Sequence, residues 1–199
     1  RIDDRYSVGI CENLFEPLLT YDYLARPVRL VPLVAESVPE PQEGGTRYTF
    51  RLKPGIHFAD DAAFKGARRE LTAADYVYGV KRHYDPKWKS GQLYRFESLG
   101  ILGLSQLRQE AIDQKKPFDY DREAEGLRVL DRYRFEVRFA EPHPRFLLEL
   151  ADPSIYAGVA REVVEHYGDA LMAHPVGTGP YMLKDWRRSS KIVLERNPG

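Results

Sequence analysis

The sequence predicts a mixed α/β (α+β) fold, sheets flanked by helices, from three observations. Arg47 to Lys53 alternates strictly, with Tyr48, Phe50 and Leu52 on one side and Arg47, Thr49, Arg51 and Lys53 on the other. Arg134 to Phe139 repeats that period of two with Phe135, Val137 and Phe139 inward. Between them, Tyr76, Val77, Val80 and Tyr84 form a stripe at helical spacing. Period two marks half-buried strands, and the 3.6 period marks an amphipathic helix.

Taken in order, residues 13–21 read as the end of a helix followed by a short strand, punctuated by Pro17. Residues 26–46, with Pro27, Pro32, Pro39, Pro41 and Gly44-Gly45, read as extended and turn-rich. Pro54-Gly55 turns the chain after the first clear strand, and Ile56-His57-Phe58 starts another short one. Ala59 to Glu70 reads as a polar loop in which Arg68-Arg69 is solvated. Thr72 and Asp75 stand at capping-box spacing and start the helix. Lys81, Arg82 and His83 fall in its last turn, where cations complement the helix dipole, and Asp85-Pro86 ends it. Residues 87–104 read as aromatic-rich and irregular, and 105–126 as a polar stretch closed by Gly126. Leu127 to Phe139 is a hairpin about Asp131-Arg132. Pro142 and Pro144 precede a helix carrying Phe146, Leu147 and Leu150, and Ala160 to Tyr167 forms another, with Gly168 as its C-cap. The glycine-rich run Pro175 to Tyr181 leads into a final hairpin, Met182–Trp186 with Lys191–Glu195.

Composition narrows the function classes. The chain has 199 residues, 43% hydrophobic, enough for a core. Thirty basic and thirty acidic residues give no net charge, so nothing marks a nucleic-acid partner. The single cysteine, Cys11, excludes an internal disulfide and reads as a small buried apolar residue. The five histidines show no i, i+4 pair of the kind a helical zinc site uses, so no metal ligand is assigned; His83, at a helix end, reads as a surface residue. Gly177-Thr178-Gly179 lacks the Lys-Ser/Thr of a phosphate-binding loop and reads as a structural turn into the last hairpin. No cofactor is implied. No apolar run is long enough for a membrane helix, and Arg1 to Arg5 is too polar for a signal peptide. Both ends read as cut, as in an excised piece of a longer protein from which any signal peptide has been removed.

Five ordered blocks carry a resemblance. They are Leu14-Phe15-Glu16-Pro17-Leu18-Leu19, Leu30 to Ser37, Thr46 to Phe58, Leu71 to Tyr78, and Pro175-Val-Gly-Thr-Gly-Pro-Tyr181 with Leu194-Glu195-Arg196-Asn197-Pro198. In that order they resemble the extracellular solute-binding proteins of the peptide/nickel-type ABC importers, the oligopeptide- and dipeptide-binding family. Residues 59–70 and 105–126 depart from the family's pattern and read as insertions.

The resemblance implies a periplasmic binding protein type II-like lobe. Residues 1–15 and 173–199 would belong to the first ligand-binding lobe and 16–172 to an accessory domain, with the second lobe absent from this chain. It implies an exported, periplasmic, monomeric protein, lipid-anchored or free, that hands a peptide or other small solute to membrane permease subunits and catalyses nothing. By family position Asp3, Asp4, Arg5 and Tyr6 border the ligand, where an acid would meet an ammonium and Arg5 a carboxylate. In the accessory domain Tyr94 and Phe96 are the aromatic candidates for the cleft. Two other classes stand beside this reading: a hydrolase using paired carboxylates, and an interaction or sensor domain built on the same fold.

Overall fold

The computed structural model describes residues 5–198, with side chains from Val8 onward. Helix α1 spans Arg5–Leu14 and leads into a two-stranded antiparallel sheet, β1 (Leu19–Tyr21) and β2 (Leu30–Pro32). A three-stranded antiparallel sheet follows, ordered β3 (Arg47–Arg51), β5 (Arg134–Arg138), β4 (Leu127–Asp131). Its register sets Phe50 opposite Phe135 and Tyr48 opposite Val137. The inward side chains of the two strands therefore meet on one face, as the alternation predicts. Helix α2 (Ala73–Tyr84) crosses that face, and its Tyr76 ring lies parallel to Phe135 at 5.7 Å, while Phe50 stacks on the same ring at 4.9 Å. Phe146, at the start of the short helix α5 (Phe146–Glu149), closes the cluster edge-on against Phe139. The chain ends in helix α6 (Arg161–Tyr167) and the hairpin of β6 (Tyr181–Arg187) with β7 (Lys191–Arg196).

Two stretches hold more structure than their composition announces. Within 87–104, Leu93–Leu99 is a helix, α3, ended by Gly100 in the left-handed conformation (φ 60°). Its seven residues are too few to be helical alone; burial of Phe96 and Leu99 holds it. Within 105–126, helix α4 (Leu104–Asp113) buries Leu104 and Leu107, and the loop after it buries Phe118 and Ala124. This polar segment is thus anchored to the core by a few apolar side chains, while most of its residues stay exposed.

Three polar residues have structural roles that their sequence readings do not give them: Lys81, read as a helix-end cation, Arg69, read as solvated, and His83, read as a surface residue. Lys81 is 4% exposed, and its ammonium donates to the carbonyls of Tyr120 (2.8 Å) and Arg122 (2.7 Å), fastening the post-α4 loop to α2. Arg69 makes a two-pronged pair with the buried Asp75 (2.7 and 3.1 Å) and reaches Glu162 on α6 at 2.8 Å. Asp75 also accepts from the backbone N–H (2.7 Å) and hydroxyl (2.9 Å) of Thr72, the expected N-terminal brace. Burial is the largest influence on the Asp75 carboxyl and pushes it up against the pull of Arg69 and Thr72.

His83 is the third. It is largely packed inward, only partly accessible, its ring stacked on Phe96 at 4.4 Å and its Nδ1 at 2.7 Å from the Ser90 hydroxyl. Burial, helped by the charge of Arg82, pushes the imidazole down from 6.5 to about 4. The unfolded chain takes up this proton near pH 6.5 and the folded one only near pH 4. Stability from this residue is therefore complete above pH 6.5 and lost as pH falls toward 4, on the order of 3 kcal/mol in all. Urea titrations across that window should show the slope, and a His83→Phe variant should flatten it.

Candidate functional site

The end of α1 and the glycine-rich run meet backbone to backbone. Gly179 donates its N–H to the Leu14 carbonyl at 2.9 Å, and Ala59 donates to the Gly177 carbonyl at 2.9 Å. A Cβ on Gly177 would sit 2.0 Å from the Leu14 oxygen, and one on Gly179 2.6 Å from the Asn13 oxygen. The glycines are present because only a bare backbone fits. Asn197 fixes the far side, donating its N–H to Pro180 O (2.8 Å) and its amide to Gly179 O (3.0 Å). Glu16 lies half-buried beside this junction; desolvation raises its carboxyl above the ordinary range, and a hydrogen bond with Thr178 pulls the other way. Residues 14–16 and 177–179 thus form one crossing point of two chain passes.

An open groove of about 380 Å³ lies along α1, walled by Val8 and Glu12 of α1, Tyr21 of β1, Arg95 of α3, and Arg145 and Leu148 at α5. The Tyr21 hydroxyl donates to the Leu148 carbonyl at 3.3 Å, tying hairpin to helix. On the groove floor Arg95 sits between two carboxylates, 3.4 Å from Glu149 and 3.5 Å from Asp152. Glu149 is braced by the Tyr156 hydroxyl at 2.9 Å, and Asp152 accepts the Ser154 N–H at 3.0 Å. The groove is amphiphilic, with cations, carboxylates and aliphatic wall within one concavity, and its volume falls in the range of small-molecule sites. Such a lining suits polar, charged ligands held by hydrogen bonds and ion pairs. It does not assemble a nucleophile, a base and an orienting acid.

The expected ligand-facing residues divide. Asp3 and Asp4 lie outside the described residues, as do the side chains of Arg5 and Tyr6, which begin α1. Tyr94 is 67% exposed but is not among the groove's lining residues. Phe96 is corrected: it is 0% exposed, packed on His83, Tyr84 and Tyr156, so it is a core residue with no surface to offer a ligand. The residue between them, Arg95, is the one α3 turns into the groove. Helical spacing carries the signal: with Phe96 and Leu99 inward, Arg95 falls on the flank of the buried stripe. Trp88, in the same aromatic-rich stretch, is not among the groove's lining residues; its indole N–H donates to the Tyr120 hydroxyl (3.0 Å) and its ring lies 4.8 Å from the Arg82 guanidinium. Cys11 is buried, and desolvation pushes its thiol up to about 11, far from a reactive thiolate at neutral pH. Among the described residues no three His, Cys, Asp or Glu side chains form a metal cluster, and no helix is long and apolar enough to cross a membrane.

Comparison with known proteins gives this geometry its setting. The periplasmic oligopeptide-binding protein OppA of Escherichia coli (strain K12) is 31% identical over 192 residues, 96% of this chain and 32% of OppA. Among solved structures, the substrate-binding domain of an oligopeptide ABC transporter from Bacillus anthracis str. Ames superposes with a TM-score of 0.75 at 26% identity, covering 98% of this chain and 34% of that one. Haemophilus influenzae OppA, in complex with the peptide RPPGFSPFR, gives a TM-score of 0.74 at 28% identity over 96% of this chain and 34% of that one. The chain spans about a third of the length of the curated relatives it matches. Residues 29–199 match the family model described as bacterial extracellular solute-binding proteins, family 5 Middle. This chain belongs to that family.

Proposed function

We propose that the whole protein is the exported solute-binding component of an ABC importer, which closes two lobes over a peptide-like solute and delivers it to permease subunits at the membrane. The observation that carries this reading is the family match over residues 29–199. The likeness to H. influenzae OppA in complex with a peptide supports the peptide part. In this layout residues 1–15 and 173–199 belong to the first lobe, joined at the Leu14–Gly179 crossing, and 16–172 form an accessory domain that carries Arg95, Glu149 and Asp152 to the groove. The second lobe lies outside this chain. The protein works in the periplasm as a monomer, free or lipid-anchored, and performs no chemistry on its solute.

The test is native mass spectrometry of the full-length protein purified from cells and then offered a random library of di- to pentapeptides. The expected result is a one-to-one mass increment with the library left intact. Loss of library peptides over hours would point to the carboxylate hydrolase instead. No increment with any peptide would overturn peptide capture.

A further inference from the structure

We infer that the tip of the β1–β2 hairpin is a closure contact. On this assignment Tyr23, Leu24 and Val28 dock onto the second lobe, the part of the protein outside this chain, when that lobe shuts over the groove. The inference rests on the two-lobe reading above.

Tyr23 is 88% exposed, Leu24 82% and Val28 67%. Single exposed apolar residues are ordinary, but three large ones within six positions on one turn are not. The turn that carries them is heavily braced. Asp22 accepts from the N–H groups of Leu24 (3.1 Å) and Ala25 (3.2 Å), and its own N–H donates to the Arg29 carbonyl at 2.8 Å. Arg29 returns to the Asp22 carboxylate at 3.0 Å, and Arg26 donates to the carbonyls of Ala25 (2.8 Å) and Tyr23 (3.2 Å). The polar groups of this turn are spent on holding its shape, while its apolar groups meet water. That division is the design of a preorganised anchor, which loses little entropy on docking.

Two observations choose the occupant. Tyr21, two residues before the tip, is part of the groove wall and is tied to Leu148 across it, so a body covering the groove reaches the tip as well. The matching relatives are about three times as long as this chain, so the covering body is available in the same polypeptide. A contact made only in the closed state favours that state and, through it, ligand retention.

The experiment uses the full-length protein and a triple variant, Tyr23→Ser, Leu24→Ser, Val28→Ser. Both are titrated with the di- to pentapeptide library by native mass spectrometry, and their ligand-free melting temperatures are compared. The inference expects roughly tenfold weaker peptide retention, which is about 1.4 kcal/mol of closure, at unchanged melting temperature. Equal retention would overturn it, whether or not transport in cells is impaired; impaired transport would then assign the tip to the permease. A lowered melting temperature would also overturn it, because the tip would then pack within its own lobe. An Asp22→Ala variant, which loosens the turn and keeps its apolar groups, should show a smaller loss of retention. Wild-type protein that binds no peptide would remove the capture reading itself, an outcome distinct from a variant that binds as well as wild type.

Discussion

Replacing Gly177 by alanine is expected to destabilise the protein by about 3 kcal/mol or more. The added Cβ would meet the Leu14 carbonyl oxygen at 2.0 Å and the Leu14 carbonyl carbon at 2.9 Å, and both are backbone atoms with no rotamer to escape into. Relief requires lifting the end of α1 off the 177–179 run, which breaks the Gly179 N–H to Leu14 O bond. Gly9 is the matched control. It lies inside α1 with open space around its would-be Cβ, so Gly9→Ala should be neutral or stabilising by up to about 1 kcal/mol. The urea midpoints of the two variants, compared at constant slope, check the pair.

Asp75→Ala should cost about 3–4 kcal/mol, because it strands a guanidinium and two Thr72 donors in a nearly closed site. Glu162 remains beside Arg69 and limits the loss. The exposed pair Lys184–Glu195 offers the contrast at the same 2.7 Å separation. Its ions stay hydrated, so Lys184→Ala should change stability by no more than about 1 kcal/mol. Thermal or urea unfolding of both variants settles whether burial, and not separation, sets the value of an ion pair here.

The regular elements were largely legible because their signals are local. Alternation over 47–53 and 134–139 set the facing rows of the central sheet, and the Thr72/Asp75 spacing set the start of α2. What escaped depends on partners distant in sequence. Nothing near Lys81 shows that the carbonyls of residues 120 and 122 await it, and nothing near Arg69 announces Asp75 and Glu162 as a buried site. Glu136 stands on the outward row of its strand yet is buried under Arg47 and Arg138, whose long stems cover it. In the candidate site the error was one of phase. The aromatics at 94 and 96 drew attention by type, while the helix turns Phe96 inward and Arg95 into the groove. Type alone cannot supply that rotation; the apolar spacing of Phe96 and Leu99 can.

The proposed capture between two lobes requires the full-length protein to shut on its solute. Small-angle scattering of the full-length protein, first stripped of solute and then saturated with the di- to pentapeptide library, reads that motion directly. The account predicts a smaller radius of gyration once peptide is bound, with the library intact. An unchanged radius at full occupancy would contradict it.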